Sequence, residues 1–167
     1  MFDAIEKALA LRSTPLFAEL PASELIPVAN LCTEVDLEAD EKLFAEGDLG
    51  DAIYVVVRGR VTVERGGKKL ASLGVGELVG EMAAIDWLPR SATVLASEPS
   101  VLIRLDRHDM LDLLIDHPVL AEKMAAVLAA RIRKTDLATI HKAGGRAGKT
   151  RKRPARDAEQ VPGGRAE

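Results

Sequence analysis

Residues 42–63 read KLFAEGDLGDAIYVVVRGRVTV, and this stretch decides the fold class. Short runs rich in valine, isoleucine and tyrosine alternate with turns at Gly47, Gly50 and Gly59. β-Branched and aromatic residues favour strands, whereas glycine favours the turns between them. Short strands at this spacing indicate a closed or jelly-roll β architecture rather than a parallel sheet.

The same pattern continues on the C-terminal side of this stretch. The sequence Arg65-Gly66-Gly67-Lys68 predicts a tight hairpin that leads to a further strand at residues 70–73. A glycine-rich segment at 74–78 then brings the chain to residues 80–94, which read GEMAAIDWLPRSATV. Residues 33–106 are therefore predicted to form the β part of the chain.

Residues 80–94 combine a carboxylate, a short helix and a guanidinium. Glu81 begins a run that favours a helix, and Pro89 is expected to stop it. An ionised carboxylate accepts hydrogen bonds from sugar hydroxyls, and the planar fork of Arg90 suits a phosphate. These groups are the ones needed to hold a sugar and a phosphate together. The alternative is that Glu81 and Arg90 pair with each other or with solvent.

This segment resembles the phosphate-binding cassette of the cyclic nucleotide-binding domain family. The resemblance rests on Gly-Glu-Met-Ala at 80–83 and Pro-Arg-Ser-Ala-Thr-Val at 89–94, and extends to Phe-x-Glu-Gly-Asp-x-Gly-Asp-x-Ile-Tyr at 44–54. It implies a β jelly-roll barrel, a cupin-like double-stranded β-helix, with N-terminal helices and C-terminal B and C helices. It also implies that Glu81 binds the ribose 2′-hydroxyl and that Arg90 binds the exocyclic phosphate oxygens.

The resemblance implies a wider set of ligand-binding residues. The backbone N–H groups of Ala83 and Ser91 would complete the phosphate cradle. Counted from Pro118, Thr135 falls where catabolite activators place a threonine that reaches the adenine amino group, and the alternative is an exposed threonine near a helix end. The predicted ligand-binding residues are Val79, Gly80, Glu81, Met82, Ala83, Arg90, Ser91, Ala92 and Thr135.

Ser91 also bears on the choice of base. In cGMP-selective kinases a threonine at this place helps to hold guanine, but catabolite activators that take cAMP also have Arg-Ser here. We therefore expect the ligand to be cAMP rather than cGMP. No metal, catalytic residue or further cofactor is predicted.

Residues 1–32 are predicted to be helical. Phe2, Ile5 and Leu9, with the pair Leu16-Phe17, recur at helical spacing around Pro15, which indicates a helix. Ser23 is predicted to cap a second helix.

Residues 107–140 are predicted to form a hinge helix and a lid helix. Asp106 is the expected N-cap of the first helix, and Pro118 is expected to begin the second. The second helix carries an apolar stripe at three- and four-residue intervals: Leu120, Met124, Val127, Leu128 and Ile132. The stripe packs either on the barrel or on a second subunit, which leaves a homodimer through residues 118–136 open. In the family, this last helix swings over the bound base.

Composition favours a single domain, since 167 residues with 47% apolar content suffice for one core. A single cysteine, Cys32, and the absence of a leader or a long apolar run lead us to expect a cytoplasmic protein without a membrane span. Aromatic residues make up only 3% of the chain, which argues against a stacking platform for single-stranded nucleic acid.

The C-terminal segment differs from the rest in charge. Residues 141–167 hold eight Lys or Arg against three Asp or Glu and are rich in glycine and proline. A disordered basic tail is predicted there. It is either solvated without a specific partner or engages nucleic acid, an acidic partner or an anionic membrane surface.

Several function classes are disfavoured. No helix-turn-helix pattern follows residue 135, so sequence-specific DNA binding is not expected. A cupin-type metalloenzyme needs histidines on its strands, whereas His108, His117 and His141 lie on or beside the C-terminal helices, so we do not expect an enzyme. The sequence predicts a regulatory module that senses a cyclic nucleotide and signals through its C-terminal helix to a partner protein or an assembly state. The alternative is a nucleotide-blind docking or dimerisation module built on the same barrel.

Overall fold

The computed structural model describes the backbone of residues 1–144 and the side chains of residues 1–134. Met1–Ala130 form one unit, and a second unit begins at Arg131. Residues 145–167, which include most of the predicted basic tail, lie outside the described part. The elements are α1 Ala4–Arg12, α2 Ala22–Leu31, β1 Thr33–Leu37, β2 Lys42–Phe44, β3 Ala52–Arg58, β4 Val61–Arg65, β5 Lys68–Leu73, β6 Leu78–Val79, α3 Glu81–Asp86, β7 Thr93–Ala96, β8 Ser100–Asp106, α4 Arg107–Asp116 and α5 Pro118–Gly144.

The strands form two four-stranded antiparallel sheets. The first sheet has the order β1-β8-β3-β6, and the second has the order β2-β7-β4-β5. One apolar cluster joins the two sheets, with Tyr54 and Leu102 from the first and Val61 and Val94 from the second. The mainly β fold with flanking helices is confirmed. The pairing gives two sheets, and closure into a barrel stays a prediction.

Strand β3 shows why its sequence is continuously apolar. Ala52, Tyr54 and Val56 pack in the cluster shared by the two sheets, whereas Ile53 and Val55 pack with the helices. Successive side chains of a strand point to opposite faces. Because both faces of β3 are covered, the run does not alternate between apolar and polar residues.

The N-terminal helices cover the outer face of the first sheet. Leu11 and Phe17 are fully buried there, and α1 packs through Ala8 and Leu11. The predicted N-terminal helix is confirmed, but Ile5 and Leu9 are each 62% exposed. A helix buries a stripe of limited width, and here the small Ala8 lies on that stripe instead of the larger Leu9.

Two predicted helix caps differ in outcome. Helix α2 begins after Pro21, which takes the N-cap position, so the predicted cap at Ser23 is wrong. Asp106 is the N-cap residue of α4, as predicted, but its side chain makes no capping hydrogen bond. The carboxylate of Asp106 pairs with the guanidinium of Arg104 instead.

Helix α5 begins at its proline, as the sequence predicts. Leu120 and Met124 are buried, and Val127 and Leu128 are partly buried against the same core. Ile132 is 60% exposed in the single chain, so packing of the C-terminal end of the stripe on a second subunit stays a prediction. The core residues that α5 contributes extend only as far as Leu128.

Two polar side-chain contacts tie the start of α5 to the N-terminal segment. The imidazole Nδ1 of His117 lies 3.0 Å from a carboxylate oxygen of Glu24. The ammonium group of Lys123 lies 2.5 Å from a carboxylate oxygen of Glu19, which raises the pKa of Lys123. The junction between α4 and α5 is therefore held to the N-terminal segment by polar as well as apolar contacts.

The packing of α1 yields a matched pair of variants. Leu11 is 1% exposed and Leu9 is 62% exposed on the same helix. We expect Leu11→Ala to lower the free energy of unfolding by about 2–5 kcal/mol, because it leaves a cavity in the core. Leu9→Ala should change it by less than about 1 kcal/mol. Urea denaturation of both variants checks this, and an equal loss would contradict the observed orientation of α1.

Candidate functional site

The site begins at a turn that only glycine fits well. Gly80 adopts the left-handed conformation, with φ +77°, directly before α3. A Cβ at this position would collide with Nη1 of Arg90. Gly80 is therefore required both by the backbone conformation and by the close approach of the guanidinium.

Helix α3 presents its first residue to the interior. Glu81 is only 1% exposed, although it is a carboxylate at the first position of the helix. Ala83 is also buried, and it lies so close to Gly50 that a Cβ on this glycine would collide with it. Met82 points outward and is 47% exposed. The small residues bring α3 close to the loop before β3 and so fix the position of Glu81.

Arg90 lies opposite the start of α3 and is 3% exposed. Its Nη1 donates to the carbonyl of Gly80 at 2.7 Å, and its Nη2 donates to the carbonyl of Ala52 at 2.8 Å. The guanidinium carbon lies 4.2 Å from the ring centroid of Phe44 and 5.8 Å from that of Tyr54. The buried cation is thus held by two backbone carbonyls and two aromatic rings.

The backbone of Arg90 is fixed as well as its side chain. Its N–H donates to the carbonyl of Asp48 at 2.7 Å, and its carbonyl accepts from the N–H of Gly47 at 2.9 Å. The loop between β2 and β3 therefore pairs with the residue that carries the guanidinium. The direction of the Arg90 side chain therefore does not depend on its side-chain contacts alone.

Burial lowers the pKa of Arg90 from its usual value, because the charged form is removed from water. Tyr54, Asp51 and Glu81 oppose that shift. The carboxylate of Asp51 is 4.0 Å from Nη2 of Arg90, and it is 73% exposed. Among the described residues, Nε of Arg90 has no hydrogen-bond partner. The guanidinium therefore retains capacity to donate to an incoming anion.

The sequence profile of the cyclic nucleotide-binding domain matches residues 34–117, which is half of the chain. This chain belongs to the cyclic nucleotide-binding domain family. The match includes both sheets and the site around Glu81 and Arg90.

Three relatives illustrate the likeness. The chain is 38% identical over 132 residues to the cyclic AMP receptor protein of Thermus thermophilus, and the match covers 76% of this chain and 61% of that protein. The crystal structure of Thermus thermophilus catabolite activator protein superposes with a TM-score of 0.70 at 36% identity, covering 78% of this chain and 63% of that one. The regulatory domain of Toxoplasma gondii PKA, solved with cAMP, gives a TM-score of 0.61 at 28% identity, covering 67% and 46%. The chain therefore spans less than two thirds of the length of these relatives.

The structure of this cyclic nucleotide-binding domain brings most of the predicted site residues together. Val79 ends β6 just before Gly80, and Glu81, Ala83 and Arg90 are buried around that turn. Ala92 is buried beside the start of β7, whereas Ser91 is exposed and its carbonyl accepts from Nε of Arg65 at 2.6 Å. Thr135 lies on α5, and its side chain is outside the described part. The ligand contacts of these residues stay a prediction.

Sequence reasoning missed the partners of Arg90. Ala52 and Gly80 contribute only backbone carbonyls, which any residue supplies, so no side-chain type signals this role. Phe44 lies in the motif that resembles the family's early strands. Its position two residues before Glu46-Gly47 is the sequence feature that could have indicated its role beside Arg90. The contact from Arg65 to the chain after Arg90 has no signal in the sequence.

The end of α3 also differs from the prediction. The helix ends at Asp86 and not at Pro89, because Trp87 adopts the left-handed conformation with φ +60°. A residue other than glycine or asparagine in this conformation costs about 1–3 kcal/mol. Trp87 is 70% exposed, and the guanidinium carbon of Arg107 lies 4.4 Å from its ring centroid.

No helix in the described part of the chain is both long and apolar enough to cross a membrane. Among the described side chains, no group of three or more histidine, cysteine, aspartate or glutamate residues is arranged to hold a metal ion.

The turn at Gly80 allows a test with an internal control. Gly67 also has a positive φ, +72°, but a Cβ there would meet nothing within 4 Å. Gly67→Ala should therefore cost only the backbone penalty of about 1–2 kcal/mol. Gly80→Ala should cost about 1–3 kcal/mol more, because the new methyl group displaces Arg90. Urea denaturation measures both variants, and equal losses would show that Arg90 does not lie against Gly80.

Proposed function

We propose that this domain is a regulatory sensor that binds cAMP at Glu81 and Arg90. One observation carries the proposal: a carboxylate and a guanidinium that are nine positions apart in sequence are both buried beside Gly80. Buried charges are costly unless they are compensated. Two such groups at one turn are typical of a site built for a charged, hydroxylated ligand.

Each side chain has a distinct role in this proposal. Arg90 binds the equatorial and axial oxygens of the cyclic phosphate with N–H groups that the carbonyls of Gly80 and Ala52 do not use. The carboxylate of Glu81 accepts a hydrogen bond from the ribose 2′-hydroxyl. The backbone N–H groups of Ala83 and Ser91 donate further hydrogen bonds to the phosphate. Val79, Met82 and Ala92 line the same part of the proposed binding site.

The burial of the two charged side chains has a consequence for binding. Because Glu81 is 1% exposed and Arg90 is 3% exposed, a ligand reaches them only after neighbouring groups have moved. The free energy of the new contacts with the ligand then drives a rearrangement of the cassette at residues 80–94. Such a site is suited to signal to the rest of the domain that a ligand is bound.

The proposal also names the base of the ligand and the helices that carry the signal. The relatives include a protein named for its cyclic AMP receptor role and a regulatory domain solved with cAMP, which supports cAMP over cGMP. Thr135 on α5 is the proposed contact to the adenine. We propose that α4 and α5 carry the signal to a partner protein or to a change of assembly, and that the domain itself catalyses no reaction.

Removal of the guanidinium tests the site. We expect Arg90→Ala to weaken cAMP binding by at least about 100-fold, because two charge-assisted hydrogen bonds contribute about 1.5–3 kcal/mol each. Isothermal titration calorimetry with cAMP, cGMP and linear AMP measures the affinity. The control is Arg58→Ala, an exposed arginine at the far end of β3, six residues or about 20 Å from Ala52.

The outcomes separate the sensor from a docking module. Arg58→Ala should leave the affinity unchanged, and a thermal melt should show that Arg90→Ala is folded. If the wild-type protein binds neither cyclic nucleotide, or if Arg90→Ala binds as well as the wild type, the proposed site is wrong. A nucleotide-blind docking module then becomes the better account.

The role of Glu81 is tested with a ligand that lacks the ribose 2′-hydroxyl, the proposed hydrogen-bond partner of this carboxylate. Glu81→Gln keeps the shape of the side chain and should weaken cAMP binding by about 10–100-fold, the value of a hydrogen bond to a charged group. Against 2′-deoxy-cAMP the same substitution should have almost no effect, since the hydroxyl is absent. An equal loss with both ligands in calorimetry would show that Glu81 does not bind the ribose.

A further inference from the structure

We propose that Arg65 is a positioning residue for the cyclic phosphate, because its guanidinium holds the backbone of Ser91. This inference rests on the proposed function, in which the N–H of Ser91 binds the phosphate, and it adds a residue from outside the cassette to the same site. Arg65 is the last residue of β4. Its Nε donates to the carbonyl of Ser91 at 2.6 Å, across 26 positions of the sequence.

The backbone at Ser91 lies just outside the sheet. Strand β7 begins at Thr93, and its pairing with β4 ends there, with Thr93 opposite Glu64. Strand β4 ends one residue later, where the chain turns through Gly66 with a positive φ. A backbone carbonyl is a strong acceptor, and the ladder that would have served it stops at this point. The side chain of Arg65 therefore supplies the hydrogen bond that a longer β4 would have supplied.

The peptide group that carries the N–H of Ser91 is fixed as well. It is the group between Arg90 and Ser91, and its carbonyl accepts from the N–H of Gly47 at 2.9 Å. In a trans peptide the N–H points away from the carbonyl, so the N–H of Ser91 is directed away from Gly47. Among the described residues, none accepts a hydrogen bond from this N–H. Arg65 fixes the next peptide group, and the two contacts together hold a free donor in one orientation.

The charge of Arg65 adds to the effect of its hydrogen bond. Val61 and Val63 pack in the cluster between the two sheets, and the alternation of side chains along β4 places Arg65 on the same face. None of the described carboxylates forms an ion pair with this guanidinium. Opposite charges attract over several ångströms, and salt screens the attraction between exposed groups. Arg65 therefore attracts a phosphate at the N–H of Ser91, and this part of its effect weakens as the salt concentration rises.

Substitutions at Arg65 test the role, with a lysine of the same hairpin as the control. We expect Arg65→Met to weaken cAMP binding by about 5–20-fold, the value of one hydrogen bond together with a screened charge. Arg65→Lys keeps the charge and a donor, so its affinity should stay within about threefold of wild type. Lys68 pairs with Arg65 across the hairpin and is exposed. Lys68→Met removes the same charge without the bond to Ser91, and calorimetry should show a change of less than about twofold.

Amide chemical shifts separate a positioning role from a general loss of structure. In ¹H–¹⁵N spectra, saturating cAMP should move the amide proton of Ser91 downfield, because the phosphate accepts its hydrogen bond. In Arg65→Met, also saturated with cAMP, that movement should fall by at least about half, because the donor is no longer held in place for a short charge-assisted bond. The amide of Ala83, the other proposed donor to the phosphate, should move as in the wild type, since the hydrogen bond of Arg65 goes to Ser91. A general loss of structure would reduce both movements.

Each result decides the matter. If Arg65→Met binds cAMP as the wild type does, if Lys68→Met loses as much affinity, or if the Ser91 and Ala83 movements fall together, the positioning role is wrong while the proposed function stands. A loss in Arg65→Lys equal to that in Arg65→Met also overturns the role. A wild-type protein that binds neither cAMP nor cGMP overturns the proposed function and the positioning role together. Thermal melts identify a variant that fails to fold, and Arg65→Ala then replaces Arg65→Met under the same criteria.

Discussion

A buried guanidinium holds the site together. Arg90 joins three parts of the chain that are distant in sequence, through the carbonyls of Gly80 and Ala52 and through backbone bonds to the loop at residues 47–48. A cation removed from water requires compensation, and two carbonyls, two aromatic rings and the nearby carboxylate of Asp51 contribute to it. The charge that organises the site is also the charge to which the proposed phosphate would bind. In the proposed function, structural order and ligand affinity therefore depend on the same side chain.

The position of that side chain depends in turn on strand β3. Ala52 is the first residue of β3, and the strand is fixed from both sides, by the second sheet and by the helices. The helices that pack on one face of β3 include α4 and the start of α5, which are the elements that would carry a signal. A rigid central strand thus separates the ligand site from those helices. At the N-terminal end of β3, the carbonyl of Asp51 accepts a hydrogen bond from the backbone N–H of Arg107, the first residue of α4.

The sequence predicts the fold class and the two charged residues because both depend on side-chain type. Valine-rich runs between glycines indicate strands, and Glu81 and Arg90 stand in a motif with few alternatives. The prediction fails where side-chain type carries no information: the carbonyls that hold Arg90, and the start of α2, where Pro21 and not Ser23 takes the N-cap position. Trp87 is a third case, since its residue type gives no signal for the left-handed conformation that it adopts, with φ +60°.

A crystal structure of the protein with cAMP tests the central claim most directly. The account predicts a phosphate oxygen within about 2.7–2.9 Å of a guanidinium nitrogen of Arg90, the distance of a charge-assisted hydrogen bond. It also predicts the ribose 2′-hydroxyl within hydrogen-bond distance of the carboxylate of Glu81. A nucleotide bound elsewhere, or bound with Arg90 still directed only at the carbonyls of Gly80 and Ala52, would contradict it.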